Sequence, residues 1–259
     1  MKTINIIGAG NVGHYFSSAF YDAGYEIKCI YNRTIGNAKT LAEKCGSMAI
    51  NDLIALPNSD LNIIAISDDY VAQIGIEIER IFGASISLVH TSGSLSLDIF
   101  PPEMKNVGCI WPLQSISKGN TYSAVDVPLC IDANTDSFLS LLKVICTDIS
   151  SKVEYIPSEK KRHAHLAAVI SNNFTIHLLT LAEQFCKDHS IDFNLLKPLI
   201  IQSVNKIKTQ SPKDLQTGPA RRMDMQIIND HLELIDNPHL KKIYRDTTKS
   251  IINTYHENH

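Results

Sequence analysis

The chain has 259 residues, 44% of them hydrophobic, a formal net charge of -3 and a pI of about 6.3. That is core enough for one large domain or two modest ones, and it leaves no basic field to hold nucleic acid by counterion release. Its six cysteines stand singly, without a C-x-x-C pair, and no apolar run reaches membrane-spanning length, so reduced core thiols, no metal site, no membrane partner and a cytoplasmic location are expected.

The N-terminus enters a strand without the charged, apolar and cleavage segments of a signal peptide. The stretch from Lys2 to Gly13 reads as a buried strand that breaks at glycine and opens into a helix with Phe16, Ala19, Phe20 and Ala23 at helical spacing. In that context Gly8, Gly10 and Gly13 form the G-x-G-x-x-G fingerprint of a dinucleotide site. Gly8 permits the tight turn, Gly10 lets backbone approach a pyrophosphate at Asn11 and Val12, and Gly13 lets helix and strand pack closely.

The second strand, Tyr25 to Tyr31, ends in Asn32-Arg33-Thr34. Asn32 places no negative charge beside the ribose, Arg33 offers a forked contact to phosphate and Thr34 adds a hydroxyl, so the pattern points to NADP(H) rather than NAD. A solvated arginine at the start of the next helix is the bland alternative. The third strand, Leu61 to Asp69, closes on Ser67, Asp68 and Asp69, where the nicotinamide ribose is expected to pass; either aspartate also fits as the N-cap of a helix from Tyr70 to Phe82. The fourth, Ser85 to Ser94, ends in a polar tip at His90, Thr91, Ser92, Gly93 and Ser94 that suits either a substrate oxygen or a self-satisfied turn. Strands at Asn106–Trp111, Val127–Asp132 and Val153–Ile156 follow, with a helix from Asp136 to Ile149 between the last two. Seven strands alternating with helices predict an α/β fold with a doubly wound parallel sheet over residues 1–156.

From Pro157 no strand pattern recurs, and residues 157–259 read as an all-helical domain. Its first helix, Ser158 to Asp188, carries His165, Val169 and Asn172 along one stripe, with Asn173 beside it. A histidine there suits proton exchange near neutral pH and an asparagine suits orienting a carbonyl; a satisfied core histidine is the alternative. Farther on, Thr217-Gly218-Pro219 forms a turn into a helix bearing Arg221, Arg222 and Asp224. Arginines at a helix start oppose its dipole, so a specific partner is expected: Asp224, a ligand carboxylate or another subunit.

Taken together, Gly8–Gly13, Asn32–Thr34, His90–Gly93, Trp111–Ser115, His165–Asn173 and Thr217–Asp224 resemble the bacterial proteins that join a Rossmann-like domain to a C-terminal helical domain of unknown function. These are distant relatives of pyrroline-5-carboxylate reductase, ketopantoate reductase and the hydroxyisobutyrate and 6-phosphogluconate dehydrogenases. The resemblance spans nearly the whole chain, and its last two segments are the specific ones. It implies a dinucleotide domain followed by a helical domain that forms a homodimer, with the site between them. It maps functional positions onto His165, Asn173, Gly218, Pro219, Arg222 and Asp224. The chain departs from the family pattern at Ala164, where an aromatic is common, and at Met223, where glycine is common; where the hydroxyacid dehydrogenases use a helix lysine, the matching stretch offers His165. The expected activity is NADP(H)-dependent hydride transfer to or from a small carbonyl, imine or hydroxy compound. Ser92 and Gly93 would hold the substrate's polar end, His165 exchange the proton and Asn173 orient the reacting group. A non-catalytic NADP(H)-binding sensor is the competing reading.

Overall fold

The computed structural model describes residues 2–117 and 123–256. Its chain forms two compact units, Met1–Ser171 and Asn172–His259. The first unit holds β1 (Thr3–Ile7), α1 (Asn11–Asp22), β2 (Glu26–Tyr31), α2 (Ile35–Cys45), β3 (Met48–Ile50), β4 (Leu61–Ile64), α3 (Asp68–Phe82) and β5 (Ser87–His90). It continues through β6 (Asn106–Pro112), β7 (Leu129–Ala133), α4 (Asp136–Thr147), β8 (Val153–Tyr155) and α5 (Ser158–Ala168). The strands make one sheet in the order β3-β2-β1-β4-β5-β6-β7-β8. Every pairing is parallel except β6 with β7.

The apolar runs explain the layering. Ile4 and Ile6 of β1 and Ile63 of β4 join one core cluster with Phe16, Phe20, Phe138 and Leu142, whereas Ile7 and Ile64 join a second with Val71, Ile78 and Phe100. Alternate residues thus point to opposite faces, and both faces are covered by helices, as near-continuous apolar strands require. Strand order reverses at β1, whose neighbours are β2 and β4, and ligands of such sheets bind beyond the carboxyl ends of strands at that switch point.

Three features differ from the sequence-based expectation. The sheet has eight strands because Met48–Ile50 adds a short edge strand to β2, with Met48 exposed; three residues with one side in solvent leave little periodic signal. The predicted third and fourth strands end early, at Ile64 and His90: Asp68 and Asp69 already belong to α3, with Ser67 as its N-cap, and the tail after His90 leaves the sheet. The pairing of β6 with β7 is antiparallel because the described residues between them include only the single 3-10 turn Ala124–Asp126, where a parallel return needs a crossover helix.

Strand pattern stops at Pro157, yet α5 belongs to the sheet-bearing unit. The predicted single helix from Ser158 to Asp188 is interrupted: α5 passes through a π-helical turn at Val169–Phe174 into α6 (Thr175–Asp188). A π turn closes its bonds over five residues rather than four, so the stripe counted for His165, Val169 and Asn172 at 3.6 residues per turn does not carry through it.

The second unit continues with α7 (Lys197–Lys206), α8 (Pro212–Leu215), α9 (Pro219–Arg222), α10 (Met225–Leu234) and α11 (Pro238–His256). None of the described helices is long and apolar enough to cross a membrane. Here the Gly-Pro-Ala-Arg-Arg element is held by local contacts. The Arg221 guanidinium lies 4.5 Å above the Tyr255 ring and its carbonyl accepts from His256 Nε2 at 2.9 Å, while Asp224 caps α10 by accepting from the Ile227 N–H at 3.3 Å. Between them Met223 sits in the left-handed region at φ 55 with an exposed side chain. That conformation costs an L-residue roughly 1 kcal/mol or more that glycine avoids. Met223→Gly is expected to stabilise the protein by about 0.5–1 kcal/mol, read as a higher urea midpoint without a change in slope.

Candidate functional site

The fingerprint turn is fixed by contacts that exclude side chains. Gly8 has φ +120, and a Cβ there would lie 2.2 Å from the Ala65 carbonyl oxygen at the end of β4; a Cβ on Gly13 would lie 2.0 Å from the Gly8 oxygen. Gly10 is different: nothing stands within 4 Å of where its Cβ would be. It occupies the N-cap position of α1, with no side-chain cap and no acidic residue in the first turn, so the positive end of the helix is left for a ligand.

Above this turn opens a cleft of about 780 Å³. Gly8, Gly10, Asn11 and Val12 form its floor, Asn32, Arg33 and Thr34 one rim, and Ser67 the start of another. Gly13 packs beneath the floor and Asp68 lies outside the lining. Asn32 ties floor to rim, its Oδ1 accepting from the Ala9 N–H at 3.2 Å and its Nδ2 donating to the Thr34 carbonyl at 3.0 Å. That bracing role adds to the one read from sequence, the absence of charge. Arg33 is exposed at the rim.

Sequence reasoning missed the part of the lining that α3 supplies. Tyr70, Gln73, Ile74 and Glu77 of α3 face the cleft together with Tyr31. Their i, i+3, i+4, i+7 spacing was visible, but α3 was read only through its capping residues. Burial raises the Tyr31 phenol pKa and Glu77 adds to the rise, with Arg33 opposing.

A second cluster occupies the ends of β5 and β6. Ser92 Oγ donates to Asp68 Oδ2 at 2.8 Å and accepts from the backbone N–H groups of Ser94 and Leu95 at 3.1 and 3.3 Å. Ser94 Oγ donates to the same aspartate oxygen. The Ser92 N–H donates to His90 Nδ1 at 3.1 Å, so both Ser92 donors are committed within the turn and Asp68 is its anchor rather than a helix cap. His90 is fully buried; burial, reinforced by the charge of Lys161, pushes its pKa down to about 3. The ring is therefore neutral, with its proton on Nε2.

Gly93 is wedged under two rings. A Cβ there would lie 2.5 Å from Trp111 and 2.9 Å from His165, and those rings lie 5.9 Å apart between centroids. Trp111 is buried and His165 half-buried. The structure thus brings Ser92, Gly93, Trp111 and His165 together in one unit. Asn173 lies exposed in the π-helical turn; it belongs to the second unit, which also holds Gly218 and Arg222 at the two ends of α9 and Asp224 at the start of α10.

Sheet order, switch-point cleft and glycine turn define the class: a Rossmann-like domain followed by a helical region. Comparison with known proteins agrees. Residues 1–74 match the shikimate / quinate 5-dehydrogenase family model, and residues 127–251 match a domain of unknown function, DUF2520. No curated protein matches the chain. A Bacteroides fragilis protein described as a "putative NADP oxidoreductase" is 31% identical over 97% of this chain and 98% of its own, with a TM-score of 0.88. A Thermotoga maritima protein is 24% identical over 97% and 98% of the two chains, with a TM-score of 0.74. A Myxococcus stipitatus imine reductase solved with NADP+ shares the fold at 16% identity, over 98% of this chain and 93% of its own, with a TM-score of 0.70. The chain belongs to the family of the Bacteroides fragilis protein, in which a Rossmann-like region precedes a DUF2520 domain.

Neutral burial of His90 has a measurable consequence. Its folded pKa is about 3, against about 6.5 when unfolded, so the unfolded chain binds the extra proton between those values. The stabilisation is complete above pH 6.5 and is lost as pH falls towards 3, by up to about 1.4 kcal/mol per unit. His90→Gln is expected to flatten that part of the stability–pH curve, measured by urea unfolding across the range.

Proposed function

We propose that this chain is an NADP(H)-dependent oxidoreductase that moves a hydride between nicotinamide C4 and a small carbonyl, imine or hydroxy compound. The observation that carries the reading is the cleft of about 780 Å³, onto which the uncapped start of α1, the open face of Gly10 and the cationic rim at Arg33 all converge. Membership in one family with a protein described as a "putative NADP oxidoreductase" supports it. Gly8, Gly10, Asn11 and Val12 present backbone to the pyrophosphate, with Gly13 holding the turn down. Arg33 and Thr34 take the 2′-phosphate, and Asn32 keeps that rim free of negative charge and braced. Ser67 receives the nicotinamide ribose, while Asp68 fixes the Ser92 turn beside it.

When bound, the cofactor supplies the hydride chemistry. The protein's part is position and proton. His165, half-buried against Trp111 and Gly93, exchanges the proton with the substrate heteroatom. Gly93 leaves room for the rings of Trp111 and His165 to close over the turn, Ser92 shapes the turn, and we assign Asn173 to orienting the substrate. We assign residues 1–156 to the dinucleotide and 157–259 to the substrate and to pairing with a second copy. Leu195, Leu199, Ile201 and Val204, all exposed, and the element at Gly218, Arg222 and Asp224 are the features we assign to that pairing.

Two outcomes test the reading. Arg33→Ala is expected to weaken NADPH binding about tenfold or more while leaving NADH unchanged, by isothermal titration calorimetry; equal losses for both would remove the 2′-phosphate contact. His165→Ala is expected to cut turnover at least about a hundredfold with NADPH affinity near wild type, followed as NADPH absorbance over a panel of keto acids, aldehydes and imines. Binding without oxidation across the panel would favour a sensor.

A further inference from the structure

We propose that Lys161 is the cation that selects this protein's substrate: buried one helical turn before His165, with the Cys109 thiol as its one close polar contact among the described residues and no carboxylate or carbonyl bonded to it, it favours a carboxylate-bearing carbonyl compound over an iminium. The proposal rests on the oxidoreductase reading above and narrows its substrate class.

Lys161 is only 1% exposed, and its Nζ has no hydrogen-bond partner of sound geometry among the described residues. Its position follows from how α5 begins. Ser158 Oγ donates to Asp132 Oδ2 at 2.7 Å, pinning the first residue of α5 to β7. Asp132 pairs with Cys109 of β6, and Cys109 with His90 of β5, so these three side chains form one row across the sheet. Lys161, three residues after Ser158, lies over that row. Its charge is felt at both the His90 ring and the Cys109 thiol.

None of these neighbours satisfies it. Asp132 is engaged by Ser158 and by the Ala133 N–H at 3.0 Å. The Cys109 thiol, which burial holds protonated, touches Lys161 but is only a weak acceptor, and it donates its own proton to the Ser92 carbonyl at 3.5 Å. The His90 Nε2 proton is a second donor, also without a partner. A buried lysine in such company is costly for the fold unless function uses it.

Lys161 and His165 share one face of α5, four residues apart, and His165 reaches Gly93 and Trp111 at the ends of the same two strands. Negative charge that a substrate brings as carboxylate, or that grows on a carbonyl oxygen as hydride arrives at its carbon, is stabilised by this fixed cation. An iminium brings positive charge into the same field and is disfavoured.

The test is calorimetric and needs no known substrate. NADP+ is titrated first; if it does not bind, the oxidoreductase reading fails and the next titrations are read on the protein alone. Oxamate, a carboxylate with an adjoining carbonyl, and pyrrolidinium, a cyclic cation, are then titrated into the NADP+-saturated protein. Oxamate is expected to bind more tightly than pyrrolidinium, and Lys161→Met and Lys161→Gln are each expected to weaken oxamate at least tenfold with NADP+ affinity unchanged. The Met variant should melt no lower than wild type, because it removes a buried unpaired charge without removing volume. Oxamate affinity equal in all three proteins, no oxamate binding to wild type, or tighter pyrrolidinium would overturn the proposal. Melting far below wild type in both variants would overturn it too, by assigning Lys161 to the fold.

Discussion

Backbone meets backbone where β1 ends, and the rest of the first unit is arranged around that approach. A methyl group on Gly8 would collide with the Ala65 carbonyl of the neighbouring strand, and one on Gly13 with the Gly8 carbonyl below α1. Two strands and a helix therefore converge at a point without side chains. The consequence is geometric: the tips of β1 and β4 stay close, α1 starts directly over them, and the reversal of strand order at β1 opens outward as a cleft. Asn32 then closes the circuit by bonding the Ala9 N–H from the tip of β2.

How much of this the residues announced depends on whether the signal was local. Gly8-x-Gly10-x-x-Gly13 was legible because each glycine answers a different local demand: two mark collisions, and Gly10 marks open space. The Asn32-Arg33-Thr34 tip was legible for a similar reason, since a strand end delivers its last residues to the cleft. What stayed hidden was pairwise. Ser92 reads in sequence as a free hydroxyl at a strand end, yet its bonds are taken by Asp68, Ser94 and Leu95, two of them beside it and one 24 residues away. Trp111 and His165 are 54 positions apart, and only the sheet brings them into ring contact.

The helical stretch shows the opposite failure, in which a local rule was applied past its range. Counting at 3.6 residues per turn placed His165 and Asn172 on one stripe. The backbone instead runs through six π-helical residues, Val169–Phe174, across which that count is not kept. Apolar residues on several sides of this run, with Ile170, Phe174 and Ile176 exposed, gave no phase from which the change could be read.

The antiparallel pairing of β6 with β7 gives the second cluster its position. A parallel crossover would have carried the chain over a face of the sheet and back to its starting end. Antiparallel pairing makes β7 run back along β6 and sets Asp132 beside Cys109. Helix α4 then leads to β8, which pairs parallel to β7, and the chain re-emerges at Ser158 within 2.7 Å of Asp132. From that pin, three residues reach Lys161 and four more reach His165. The same short hydrogen bond thus fixes how deep the cation sits and where the imidazole meets Trp111. The cluster at the end of β6 is positioned from β7, three strands along the sheet from β4, the last of those that build the cleft.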